Sequence, residues 1–328
     1  MKLTQWIVCC FLGLAVAVPT RPVHAETGSY PDRPVRLVVS FPPGGGADTT
    51  ARMLAQKMSE RLGQPIVVEN KPGANGLIGT DFVAKSAPDG YTILMTDRGA
   101  LGINPSLYAR LPYDPRKDFA HIGIATDGPY VLVVSSALPV KSLAELVALA
   151  KSKPGSLRYG SYGVGSMAQL NIEALARAEG ITLQHIPYKG APPAVAAVVA
   201  GQVDLTIASP PSLLGFIRNG RVRALAVGSD TRLALLPDVP TTKEAGLASQ
   251  PLVPTYFALC APAGTPPAIV NRLNEELRRA LQSPDVAEKL RAAGLVPNGG
   301  SPAAMSRIVA EDVDRFAALV KVVGIEPE

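Results

Sequence analysis

The chain predicts an α/β protein of two lobes, with a ligand cleft between them and a hinge of two strands. Three observations predict it. Strand-like and helix-like patterns alternate from residue 34 onward, which is the order of a parallel sheet covered by helices. Two long extended stretches, 121–136 and 254–262, are placed to carry the chain out of one lobe and back. Each half also contains a glycine-bearing loop that leaves a strand and enters a helix.

The elements follow in order. "VRLVVSF" (35–41) is a β-branched apolar run and reads as a buried strand. In 48–63, Ala51, Leu54, Ala55, Met58 and Leu62 recur at helical spacing, with Asp48 as the expected cap and Gly63 as the terminator. "PIVVEN" (65–70) completes a βαβ unit, which implies a parallel pair. "DGYTILMTD" (89–97) is a further strand, and 121–136 is extended but broken by Gly128-Pro129. Helices read at "SLAELVALAKSKPG", "SMAQLNIEALARAEG", "PPAVAAVVAGQ" and "PSLLGFIRNGRV", with strands at "LRYGSY", "ITLQHIPYKG", "VDLTIAS" and "RALAVGS". "PTYFALCAP" (254–262) reads as the last strand, followed only by helices, one begun by Thr265-Pro266 and one by Ser301-Pro302. One lobe is expected to hold 26–128 and 256–328, and the other 129–255.

The N-terminus carries Lys2, an apolar run from Trp6 to Val18, and "VHA" at 23–25, the pattern of an export signal cleaved after Ala25. The run is too short for a membrane span, and Cys9 and Cys10 lie inside it rather than at a lipidation site. Removing 25 residues from 328 leaves 303, enough for two domains. Lys2 and Arg21 go with the segment, leaving 30 basic against 27 acidic residues and a net charge of +3. The basic residues are scattered, so no nucleic-acid footprint is expected. Cys260 is then the single cysteine, which rules out an intramolecular disulfide. The expected product is a monomer in the periplasm.

"FPPGGGAD" (41–48) joins the first strand to the first helix. Three successive glycines are costly to order, so something must approach that backbone closely. A helix N-terminus favours anions through its free N–H groups, and the loop reads as a carboxylate or phosphate cradle or as a tight turn. A P-loop is excluded because no lysine follows. A dinucleotide fingerprint is partial: Gly44 and Gly46 fit, Thr49 replaces the third glycine, and Glu69 is a candidate ribose acid. "YGSYGVGSMAQL" (159–170) repeats the device with Gly163 and Gly165, capped by Ser161 or Ser166. His121 and His185 sit in strand-like runs and Cys260 in an apolar one, with no catalytic or metal motif nearby, so neither turnover, metal nor cofactor is expected.

These loops occur within a longer set of segments: "YPDRPVRLVVSFPPGGGADTTAR", "VVENKPGANGLIG", "APDGYTIL", "INPSLYARLPYDPRKDF", "IPYKGAPPAV", "LPDVPTTKEAG" and "APAGTPPAIVNRLNEELRRAL". Together they resemble the Bug family of solute receptors of tripartite tricarboxylate transporters over residues 30–328. The resemblance implies a two-lobed periplasmic-binding-protein fold, type II-like. It also implies capture of a small organic carboxylate and delivery to subunits in the cytoplasmic membrane. A sensor partner of a membrane kinase or an exported dinucleotide-binding enzyme are the alternatives. The implied ligand contacts map to Phe41, Gly45, Gly46, Ala47, Asp48, Ser161, Gly165, Ser166 and Met167. Two departures from the family pattern bear on specificity. Ala208-Ser209 stands where an acid or amide is usual, which disfavours an ammonium-bearing ligand. Thr96-Asp97-Arg98-Gly99-Ala100-Leu101 stands where a small polar segment is usual; Arg98 either faces the cleft and pairs with a second carboxylate or is a solvated loop arginine.

Overall fold

The computed structural model describes residues 30–247 and 252–325. The export signal and its cleavage site lie outside the described residues. The first strand β1 (Val35–Val39) leads into α1 (Gly46–Leu62), β2 (Ile66–Asn70), α2 (Leu77–Ala84) and β3 (Thr92–Asp97). A π-helical turn at Gly99–Ile103 runs into the short α3 (Asn104–Leu107), and then β4 (Phe119–Gly128). The chain continues as β5 (Tyr130–Ser135), α4 (Leu143–Ser152), β6 (Arg158–Ser161), α5 (Met167–Glu179), β7 (Gln184–Pro187), α6 (Ala191–Val199), β8 (Leu205–Ala208), α7 (Leu214–Arg218) and β9 (Val222–Gly228). It ends with β10 (Thr255–Pro262), α8 (Pro267–Gln282), α9 (Pro284–Ala292), β11 (Val296–Pro297) and α10 (Pro302–Val323).

Two sheets result. One has the order β11-β4-β10-β3-β1-β2 and the other β7-β6-β8-β5-β9. β1 pairs in parallel with both β2 and β3, as the expected βαβ unit requires. β10 enters between β3 and β4, antiparallel to both. The chain passes from the first sheet to the second at Gly128–Tyr130 and returns between Gly228 and Thr255. Apolar alternation gives way to continuous burial in β5, β8 and β10, which are covered on both faces.

Several local expectations change. β11, antiparallel to β4, is a strand after residue 262. α2, α9 and the π-helical turn were not foreseen. Thr265 does not cap α8: Pro266 occupies that position, and the Thr265 hydroxyl donates instead to the Pro262 carbonyl at 2.7 Å. Ser301 does cap α10, accepting from the Ala304 N–H at 3.2 Å. α10 serves both sheets. Met305 and Val309 pack with Val38, Leu94 and Tyr256, whereas Phe316 and Val320 join the core of β5, β6 and β8.

Asn274 joins α8 to the sheet. Its buried amide donates to the carbonyls of Ile122 on β4 (2.8 Å) and Gly300 (2.9 Å). Asn274→Ala leaves both without this donor, and urea denaturation should show a loss of about 1–3 kcal/mol with ligand affinity unchanged.

Candidate functional site

A small cavity of about 30 Å³, room for one or two waters, lies where the two sheets meet. From the first sheet it is lined by the Phe41–Ala47 loop, Asp97 and Phe257; from the second by Tyr130, Tyr162, Ala191, Pro192 and Ser209. Most of these residues follow the carboxyl ends of parallel strands, the usual ligand position in such sheets. Tyr130 opens β5, whose antiparallel register sets Val131 opposite Ala208 at the end of β8.

The glycine loop answers the question its sequence raises. Gly45 is extended at the N-cap, and Thr49 makes the first intrahelical bond, to the Gly45 carbonyl. The N–H groups of Gly46, Ala47 and Asp48 therefore precede the helical ladder. Gly46 has no positive φ. It is glycine because a Cβ there would enter the Phe257 ring and stand 2.7 Å from Ser209 Oγ. Gly44, in contrast, is left-handed at φ 83° with open space around it.

Asp48 does not cap α1 in the expected way, since Gly45 holds that position with no side-chain bond. Its buried carboxylate instead reaches back to the Gly44 N–H (3.0 Å) and also accepts from Arg52 Nε (3.0 Å) and Asn70 Nδ2 (2.9 Å). Burial would raise its pKa, but the bonds from Arg52, Gly44 and Asn70 together hold it below the ordinary value. Asn70 also donates to the Phe41 carbonyl at 3.0 Å, so both ends of the loop are tied to β2.

The second loop is built differently. Ser166 caps α5 by accepting from the Gln169 N–H, and Gln169 Oε1 accepts from the Gly165 N–H at 2.6 Å. Gly165 is left-handed at φ 71° and packs where any Cβ would strike Leu107. Its carbonyl accepts from Asn75 Nδ2 at 3.4 Å. Ser161, Gly165, Ser166, Met167 and Ala208 are thus buried without being among the cavity walls. Of the expected contacts, Phe41, Gly45, Gly46, Ala47 and Ser209 line it.

Arg98 does not line it, because the chain leaves β3 after Asp97 and Arg98 already has the helical backbone that starts the π-helical turn. Asp97 and Phe257 are directly paired across β3 and β10 and both face the cavity. Tyr256, the neighbour of Phe257 within β10, falls on the other side. There Arg98 Nε meets Asp312 Oδ2 at 3.0 Å, NH1 donates to the Pro254 carbonyl at 2.5 Å, and the guanidinium lies 4.7 Å from the Tyr256 ring centre.

Asp97, Tyr130, Tyr162 and Phe257 line the cavity without having been singled out from the sequence. Asp97 is 5 % exposed, and its Oδ1 accepts from the Ala100 N–H at 3.0 Å. Burial pushes its carboxyl up to about 6, against the N–H groups of Ala100 and Gly99 and the Arg98 charge, which pull it down. The available signal was its position: it ends the strand beside the one that feeds the glycine loop.

The residues named for rival chemistry are engaged elsewhere. Glu69 is held by Lys71 (2.7 Å) and Arg36 (3.4 Å). His121 lies between the Ser306 hydroxyl (2.9 Å) and the Pro115 carbonyl (3.0 Å). His185 stacks on Tyr159 and meets Ser161 Oγ at 2.6 Å, while that hydroxyl also faces the Gly163 carbonyl at 2.9 Å. Cys260 is fully buried in β10, and burial pushes its thiol far up.

Comparison with known proteins bears on the family and the fold. Residues 50–325 match the model of the tripartite tricarboxylate transporter family receptor. Protein BugT of Bordetella pertussis is 39% identical over 325 residues, covering 99% of each chain. The periplasmic binding protein BugD superposes with a TM-score of 0.87 at 36% identity, over 91% of this chain and 100% of its own. R. palustris Rpa4515, solved with adipate, gives 0.88 at 36% identity over the same shares. MatC from Rhodopseudomonas palustris, with bound malate, gives 0.83 at 34% identity, over 89% of this chain and 100% of its own.

Two outcomes follow for the carboxylates. Asp48→Ala removes charge-assisted bonds and should cost about 2–3 kcal/mol in urea denaturation at neutral pH. Because the folded pKa of Asp48 is lowered, its contribution is present above 3.8 and lost as pH falls through the folded value. The gap between variant and wild type should therefore shrink in acid. Asp97 has the opposite sign: its pKa is raised, so ionising it costs stability as pH rises from 3.8 to about 6. The groups that act on it electrostatically are Arg98, Tyr113, Tyr130 and Tyr162. Asp97→Asn should stabilise the unliganded protein at pH 7 by on the order of 1–3 kcal/mol and confer no gain near pH 4. An equal effect at both pH values would show that Asp97 ionises no differently in the folded and unfolded chains.

Proposed function

Because the chain belongs to the tripartite tricarboxylate transporter receptor family, we propose that it is a periplasmic receptor that closes on one small organic carboxylate and delivers it to membrane subunits. One observation carries the reading. The N–H groups of Gly46 and Ala47, ahead of the α1 ladder, belong to residues lining a cavity walled by both sheets. A carboxylate placed there meets the positive end of a helix without a lysine or arginine.

The energetics are sufficient. A micromolar complex needs about −8 kcal/mol. Hydrogen bonds to a charged group contribute roughly 1.5–3 kcal/mol each, before association and ordering costs. Four to six such bonds reach that range. The cavity is walled by residues of both lobes, so parting and closing of the lobes would open and enclose it. The lobes are 26–128 with 256–328, and 129–255; they turn on the two crossings, at Gly128–Tyr130 and between Gly228 and Thr255. A ligand favours closure only by touching both lobes in the closed state. The receptor acts as a monomer exported by a signal cleaved after Ala25, and it turns nothing over. The buried or engaged states of His121, His185, Glu69 and Cys260 support that reading.

The experiment is thermal shift and small-angle scattering on the mature protein with a panel of carboxylates. A bound acid should raise the melting temperature with the logarithm of its concentration and reduce the radius. Gly46→Val should abolish that response, because the side chain would occupy the space between Phe257 and Ser209. Gly215→Ala should retain it, since this α7 residue is not among the cavity walls and a Cβ there meets nothing within 4 Å. A Gly46→Val protein that still responds like the wild type would remove the loop from the site.

A further inference from the structure

We propose that Asp97 is a ligand-contacting specificity residue, and that it selects a carboxylate that also carries a cationic N–H group. The inference rests on the receptor reading above and names its substrate class. The glycine loop supplies the positive end of the cavity, and Asp97 supplies a negative group in the wall next to it.

The state of Asp97 carries the argument. Its side chain is buried, yet among the described residues it makes no ion pair. Arg98, the nearest cation in sequence, is committed to Asp312 and the Pro254 carbonyl. The Tyr162 hydroxyl donates to the Ile207 carbonyl and the Tyr113 hydroxyl to the Ala100 carbonyl at 2.7 Å, so neither turns its proton to Asp97. Its donors are the backbone N–H groups of Ala100, at 3.0 Å to one oxygen, and of Gly99. An ionised carboxylate has about four acceptor positions. A buried charge left with this little compensation is costly unless a partner completes it.

The remaining wall suits the same partner. Phe41, Tyr130, Tyr162 and Phe257 bring four aromatic rings around the space beside Asp97. Ring faces attract cations and offer nothing comparable to an anion. A plain dicarboxylate must put its second charge among these rings or beside Asp97, where like charges repel. An ammonium there neutralises Asp97 while its carboxylate sits on the loop. The acid that the residue types at 208 and 209 lacked is therefore provided from the other lobe, at position 97.

The test compares length-matched probes by calorimetry at pH 7: 5-aminopentanoate against adipate, and glycine against malonate as the short pair. Wild type should bind one of the amino acids at least tenfold more tightly than its partner diacid. Which pair responds tells an ω-amine from an α-amine. Asp97→Asn should cut that preference at least tenfold, and Asp97→Glu, which keeps the charge, should preserve its direction. Melting curves confirm that each variant folds. A wild type that prefers both diacids, or an Asp97→Asn protein whose preference stays within twofold, overturns the inference. The receptor reading has its own control: if carboxylates bind but the preference is absent, only the role of Asp97 fails. If Gly46→Val binds every probe like the wild type, the pocket itself is misassigned.

Discussion

The Asp48 carboxylate is the interaction on which the site depends. A run of three glycines has no side chains to hold its shape, so its conformation must be imposed from outside. Asp48 does this by gripping the Gly44 N–H at one end of the loop and Arg52 and Asn70 beyond it. Asn70 extends the grip to the Phe41 carbonyl. The result is a preorganised helix entrance whose remaining N–H groups stay available. An anion bound there has little ordering left to induce, which is where affinity is gained without a buried cation.

The same loop sets how closely the lobes approach. Gly46 lets Phe257 and Ser209 come within contact of the backbone. Pro42 lies against Gly190, which is left-handed at φ 126° and leaves no room for a Cβ. Gly165 accepts Leu107 in the same way on the other flank. Glycine in these places is therefore a matter of lobe-to-lobe distance as much as of chain conformation. α10 bridges the two cores, with Met305 and Val309 on one and Phe316 and Val320 on the other. Any motion of the lobes must bend or slide along that helix, which favours a limited closure over a wide one.

Charge in the site is divided at the end of β3. β3 sends Asp97 inward, and the next residue, Arg98, is spent on Asp312. β10 sends Phe257 inward and leaves Tyr256 beneath the Arg98 guanidinium. Shifting β3 by one residue against β10 would turn Asp97 out of the wall and break its pairing with Phe257. The polarity of the pocket thus follows from register, and two adjacent charges take opposite roles without any change in composition.

The sequence by itself determined the order of strands and helices, the parallel βαβ start, the two crossings and the glycine-rich helix entrance. These depend on local periodicity, β-branched runs and turn residues, all of which lie within a few positions of one another. It also carried Phe41, Gly45, Gly46, Ala47 and Ser209 into the cavity wall, because a loop after a strand has few places to go. It misjudged Asp48 as a cap and residue 262 as the end of the strands, and it left the direction of Arg98 open. Only the tertiary structure decided that Asp97, Tyr130, Tyr162 and Phe257 share one cavity. Asp97 and Phe257 meet through a pairing across 160 residues of chain, and Tyr130 reaches the site from the far side of a crossing. Register between distant strands, and hence which side of each pleat faces inward, has no local signature, since it is chosen by packing of the whole sheet.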